Sequence, residues 1–171
     1  MVLEEIYRFD NLQVHRTGHD CWDMENLWNG IIGGLKACGE LRKIPATVGI
    51  DTWGVDYGLL DKNGHLAGVP RSYRLGVQAD IDAVLEKIPS TELYARTGID
   101  TKLTFNTIYQ LYRRLREEDS ALDAAETMLL TPDLLGYFLT GSAGTEYTIA
   151  TTTGLYNPTT KDWDWQTIEE L

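Results

Sequence analysis

Asp51, Thr52, Trp53, Gly54 and Asp56 fall within six consecutive positions of this sequence, and their types suit a small polyhydroxylated ligand. Carboxylates accept hydrogen bonds from hydroxyl groups, and an indole stacks on the C–H face of a sugar ring. A glycine lets a ligand approach the backbone. The same residues also suit a purely structural turn, with Asp51 as a cap, Trp53 in the core and Gly54 relieving a bend. Residue types alone leave both readings open.

The flanking segments must position this cluster. Val48-Gly49-Ile50 is short, β-branched and bounded by Pro45, which predicts a buried strand. Tyr57 to Leu60 predicts a second strand, and Asp61-Lys62-Asn63-Gly64 has the chemistry of a turn. The cluster then lies at the end of a buried strand, where ligands bind in open α/β sheets.

The 171 residues are 43% hydrophobic, enough for one domain, taken as 1–171, with a real core. A formal net charge of −11 argues against nucleic acid or an anionic membrane as partner, because both require a basic face. There is no apolar run long enough to cross a bilayer, and the N-terminus lacks the pattern of a signal peptide. Cys21 and Cys38 show no metal-ligand spacing, which fits two reduced thiols in a cytoplasmic protein. His15, His19 and His65 fall in loops or turns and read as exposed.

Along the chain, Glu4 to Phe9 reads as a strand and residues 10–20 as a turn and loop. Cys21 to Asp23 reads as a short strand, with Asp23 also standing as the N-cap of a helix that stops near Gly39. Val69 to Arg74 reads as extended, since a proline biases its predecessor that way. Helices follow over 80–88, near 91–95 and over 105–117. The last buries Ile108, Leu111, Tyr112 and Leu115 and leaves Arg113, Arg114 and Arg116 solvated. Met128 to Leu130 reads as a short buried segment, and Thr131 caps a helix that runs to Leu139. Thr145 to Thr153 is polar and β-branched and reads as extended or looped. Trp163 and Trp165 read as core or interface, before a final helix. Strands interleaved with helices indicate an α/β fold.

Val48-Gly-Ile-Asp-Thr-Trp-Gly-Val-Asp56, followed by Leu59-Leu60-Asp61, resembles the signature of rhamnulokinases, members of the FGGY class of carbohydrate kinases. Glu5 to Asn11, Pro70 to Arg74, Tyr94 to Ile99 and Phe105 to Leu111 resemble further segments of that family, in order. So do Pro132 to Gly141, Glu146 to Thr153 and Trp163-Asp164. The resemblance implies an actin-like, ribonuclease-H-like sugar kinase N-terminal domain. It implies transfer of the ATP γ-phosphoryl, with Mg²⁺, to the 1-hydroxyl of L-rhamnulose. It implies substrate-side roles for Gly54 first, then for Trp53, Asp56 and Thr52, with Tyr73 and Arg74 beside them.

Three features depart from the family pattern. Its opening strand and Asp-x-Gly-x-x-Ser phosphate loop have no counterpart here, so the expected fold is truncated at its N-terminal hairpin. Its catalytic Asp belongs to a second, ATP-binding domain, so no residue here is expected to be catalytic, and neither ATP nor Mg²⁺ is expected to bind well. Leu75 stands where Asp usually follows Tyr-Arg. The open edge is expected to favour self-association. A kinase for L-fuculose or D-xylulose remains an alternative, as do a sugar-binding module without catalysis and a purely structural domain.

Overall fold

In the computed structural model, which describes residues 2–171, local sequence decides most helix ends. The Asp23 carboxylate accepts from the Asn26 N–H at 3.0 Å and starts α1 (Met24–Glu40). Gly39 lies inside its last turn and is not the stop. Gly98 and Gly141, both in the left-handed region, end α3 (Ser90–Thr97) and α6 (Thr131–Thr140). Thr131 is itself the first residue of α6, so the cap falls one position earlier, on Leu130. Between α3 and α6 lie α4 (Thr107–Arg116) and the single turn α5 (Ser120–Asp123), and α2 (Gln78–Leu85) precedes them.

The strands form three two-stranded antiparallel sheets among the described residues. β1 (Gln13–Arg16) and β2 (His19–Trp22) are a hairpin where a loop was expected, turned by Thr17 and Gly18 at positive φ. The extended stretch after Pro70 is shorter than expected. It joins β2 through Trp22 N–H to Pro70 C=O (2.9 Å) and Ser72 N–H to Asp20 C=O (2.9 Å). It then tightens into a 3-10 turn over Tyr73–Leu75. β3 (Tyr57–Leu60) pairs with β4 (Thr127–Leu130), both near the centre of the molecule. β5 (Tyr156–Asn157) and β6 (Asp162–Trp163) form a small hairpin ahead of α8 (Trp165–Glu170), in which Trp165 is more than half exposed.

Glu4–Phe9 and Val48–Ile50 are not strands. A strand exists only as a member of a ladder, and neither run finds a ladder partner among the described residues. Val48 is 56% exposed as a result. Tyr7 and Phe9 instead lie against the glycines of α1. A Cβ on Gly30 would meet the Phe9 ring, and one on Gly33 would sit 2.8 Å from the Tyr7 hydroxyl. Residues 145–153 also depart from the expectation, forming α7 (Tyr147–Ala150) and a 3-10 turn over Thr151–Thr153. The hydroxyls of Thr151, Thr152 and Thr153 each donate to the carbonyl three residues earlier, at 2.6–2.8 Å. Those bonds hold a tight turn that side-chain branching disfavours.

The core has two main parts. Ile81, Val84, Ile88, Leu93, Ile108, Tyr109 and Leu155 join α2, α3 and α4. Tyr57, Leu59, Ala121, Leu130 and Ala150 pack on the β3–β4 pair. Leu115 is half exposed, and α4 instead turns Arg114 inward to 4% exposure. Its guanidinium lies 5.5 Å from the Tyr57 ring centre and donates to Asp119 at 2.8 Å. Arg71 donates to the same Asp119 oxygen at 2.7 Å and to Glu117 at 2.6 Å. Arg113 is likewise paired, with buried Asp80 at the start of α2. His19 is half-buried beside Glu117 rather than exposed, and burial with the Arg71 charge lowers its pKa.

The Asp119 cluster ties the extended stretch after Pro70 to α4 and α5. Replacing Arg114 by Met keeps the volume and removes one partner of a buried ion pair. Stability is expected to fall by about 3 kcal/mol. The same change at exposed Arg116 is expected to leave it within about 0.5 kcal/mol. Urea unfolding midpoints of the two variants check both values.

Candidate functional site: an aromatic cleft at the Trp53–Asp56 turn

Three backbone residues carry the site. Gly54 C=O accepts from the Asp56 N–H at 2.9 Å, closing a turn centred on Val55, whose φ is +68°. This is a γ-turn of the rarer hand, and a β-branched residue there is strained by about 1–3 kcal/mol. The surroundings hold it in place. The Val55 N–H donates to Thr152 Oγ1 at 3.1 Å. The Val55 carbonyl accepts from Thr107 Oγ1 at 2.7 Å and Gln110 Nε2 at 3.1 Å. The Asp56 carbonyl accepts from the N–H and hydroxyl of Thr131 at 3.0 and 3.1 Å. The 3-10 turn at Thr151–Thr153, α4 and α6 thus grip one short segment of chain.

The Asp56 carboxylate is 1% exposed and does not face solvent. One of its oxygens accepts from the indole N–H of Trp22 at 2.5 Å and of Trp53 at 2.8 Å, and the other accepts from Gln110 at 3.2 Å. The two indoles are 4.3 Å apart. Tyr73 lies 6.5 Å from Trp22 and meets Phe105 edge-on at 6.1 Å. The result is a run of aromatic rings fixed at one end by a buried carboxylate.

Trp53, Gly54 and Tyr73 line one cleft of about 570 Å³. Its other walls are Val55 and Ile99, Leu103 and Phe105, Asn106, and Thr151 with Thr152. Gly54 sits close against Thr152, and a Cβ there would lie 3.1 Å from that side chain, a tight fit. The remaining expected site residues lie elsewhere. Asp56 sits beneath the rings as their anchor. Thr52 lies outside this cleft and donates its hydroxyl to the Trp53 carbonyl at 2.9 Å. Arg74 is exposed, with its guanidinium 5.7 Å from the Tyr73 ring centre. Asp51 lines a separate depression with Asp133 and Glu146, so the two aspartates of the motif do not act as a pair.

Sequence reasoning did not assign Phe105, Ile99, Leu103 or the Thr151–Thr152 pair to the site. The one signal for them was the density of polar and aromatic residues around Phe105-Asn106 and the threonine run, both far from the motif in sequence.

The cleft lining contains no lysine, arginine, aspartate or glutamate, so it does not fit a triphosphate. No group of three or more His, Cys, Asp or Glu side chains that could hold a metal ion occurs among the described residues. No helix among them is long and apolar enough to cross a membrane.

The fold is shared with carbohydrate kinases. The xylulose kinase of Rhodospirillum rubrum superposes with a TM-score of 0.81 over 94% of this chain and 34% of that one, at 17% identity. A ligand-bound xylulose kinase from Lactobacillus acidophilus gives 0.75 over 93% and 33%, at 16% identity. Residues 3–171 match the model of the FGGY family of carbohydrate kinases, N-terminal domain, and the chain belongs to that family. Its sequence is 41% identical to the rhamnulokinase of Mannheimia succiniciproducens over 99% of this chain and 35% of that protein. It is 44% identical to the rhamnulokinase of Bacteroides thetaiotaomicron over 93% and 33%. The chain therefore spans about a third of the length of these relatives.

Burial pushes the Asp56 carboxyl above the ordinary aspartate range, and its indole and amide donors offset only part of that shift. A raised folded-state pKa favours folding while the group is protonated, and that contribution is lost as pH rises through it. Asp56→Asn is neutral throughout and still presents an oxygen to the two indoles. Its stability relative to the parent is expected to be lowest in acid and to rise toward neutral pH. Unfolding titrations of both proteins across that range check the sign.

Proposed function

We propose that this chain is the sugar-binding domain of an L-rhamnulose kinase, whose whole reaction moves the ATP γ-phosphoryl to the 1-hydroxyl of the ketose. One observation supports this above the others. Trp53, Gly54 and Tyr73, distant in part along the chain, converge on one cleft, in a sequence whose relatives over nearly its whole length are named rhamnulokinase. Trp53 offers a face for the C–H side of the sugar, and Gly54 lets the ligand reach backbone atoms. Asp56 holds the two indoles at a fixed angle and so acts as a positioning residue. Thr52 steadies the Trp53 carbonyl, and Arg74 stands at the rim on Tyr73.

ATP with Mg²⁺ supplies the phosphoryl group in such a transfer. The lining has no cation to hold that donor and no carboxylate to take the hydroxyl proton. This cleft therefore binds and orients the acceptor, and groups outside it carry the donor and the base. The cytoplasm, where ATP is available, is the matching compartment. The runs at Glu4–Phe9 and Val48–Ile50, which pair with no strand among the described residues, give the isolated chain a route to self-association.

L-rhamnulose is expected to bind the 171-residue chain, with saturation-transfer NMR as the readout. Trp53→Ala is expected to weaken binding by about tenfold or more. The chain alone is expected to leave ATP unconsumed in the presence of the sugar. Sustained ADP release dependent on L-rhamnulose would refute the division of labour proposed.

A further inference from the structure

The cleft lining is unusual for a site that must recognise a sugar, because most of its side-chain hydrogen-bond donors are already used, the Tyr73 hydroxyl being the exception. Thr152 Oγ1 donates to the Ile149 carbonyl at 2.8 Å while accepting from the Val55 N–H. Thr151 Oγ1 donates to the Thr148 carbonyl at 2.6 Å. The Asn106 amide donates to the Asp100 carbonyl at 2.8 Å, and that residue is 1% exposed. Ile99, Leu103 and Phe105 line the same cleft with side chains that present only carbon. Ile99 is backed by Gly154, where a Cβ would lie 3.4 Å from Ile99 Cγ2 and 3.0 Å from Ile108 Cγ2. These three side chains give a ligand hydroxyl nothing in exchange for the water it leaves.

We propose that the wall formed by Ile99, Leu103 and Phe105 reads a methyl group, so that the cleft selects a ketose with a deoxy terminus over the same sugar carrying a terminal hydroxyl. The inference rests on the sugar-binding reading above and specifies which end of the sugar this wall meets. A methyl group gains apolar burial there at no polar cost. A hydroxymethyl group of nearly the same size must give up hydrogen bonds to water that the wall does not replace. Apolar pockets reject an added hydroxyl only moderately, so the selectivity expected is about 10- to 100-fold.

L-rhamnulose and L-fructose form the matched pair, since they differ only in CH3 against CH2OH at C6. The full chain is titrated with each sugar while the Trp53 indole N–H signal is followed by NMR. L-rhamnulose is expected to bind about 10 to 100 times more tightly. Leu103→Thr and, independently, Ile99→Thr place a hydroxyl on the wall. Each is expected to reduce that ratio by about tenfold, through weaker L-rhamnulose binding. Unfolding midpoints establish which variants are folded, and the parent ratio decides the matter even if one variant is not. Equal affinities in the parent, or an unchanged ratio in the folded variants, overturn the methyl-reading wall and leave sugar binding intact. A Trp53 signal that moves with neither sugar overturns the sugar-binding reading and the wall together.

Discussion

The cleft depends on one constraint, the backbone turn through Gly54, Val55 and Asp56. Val55 occupies a conformation that its side chain disfavours. It stays there because Thr107, Gln110 and Thr152 bond its two peptide groups and Thr131 bonds the next. None of these residues is near the turn in sequence. The turn in turn aims the Asp56 carboxylate inward, where it collects both indoles. A local strain is thus balanced by long-range hydrogen bonds, and the aromatic wall takes its angle from that balance.

Charge takes an unexpected place in this arrangement. Arg114 and Arg71 share Asp119 beneath the Tyr57 ring, close to the end of the same strand that leaves the turn. The Tyr57 hydroxyl is fully enclosed, and burial pushes its pKa up to about 12. A neutral phenol under a guanidinium keeps this part of the core uncharged except for the paired groups. The cleft itself carries no formal charge on its lining, even though the protein has a net charge of −11. Asp56, the acidic group nearest the cleft, is turned beneath its rings and held by neutral donors, which leaves shape and apolar contact as what the lining offers.

Much of this was legible in the sequence where local chemistry and packing agree. The Asp23 cap, the strand at Tyr57–Leu60 and the turn at Asp61–Gly64 follow from short-range rules, whereas the stop expected at Gly39 did not hold. The resemblance gave Trp53 and Gly54, and separately Tyr73, substrate-side roles, and the fold brings these three to one cleft. What escaped was non-local. Val48–Ile50 has strand composition, but pairing depends on a partner that composition does not reveal. Arg114 reads as a solvated residue until Asp119 and Tyr57 are seen around it. Thr151–Thr153 looks extended until each hydroxyl is found on the carbonyl behind it. Ile99 and Leu103 carry no sign of a site, because an apolar wall looks like any other core segment before the fold brings it to a surface.

The two indoles that share the Asp56 oxygen also give the domain an optical property. At 4.3 Å their transition dipoles are close enough to couple, with an interplanar angle of 42° set by the carboxylate that both N–H groups address. The coupled pair is chiral only while the turn is held. The near-ultraviolet circular dichroism of this protein therefore carries a contribution from the turn's geometry, beside those of its other aromatic side chains.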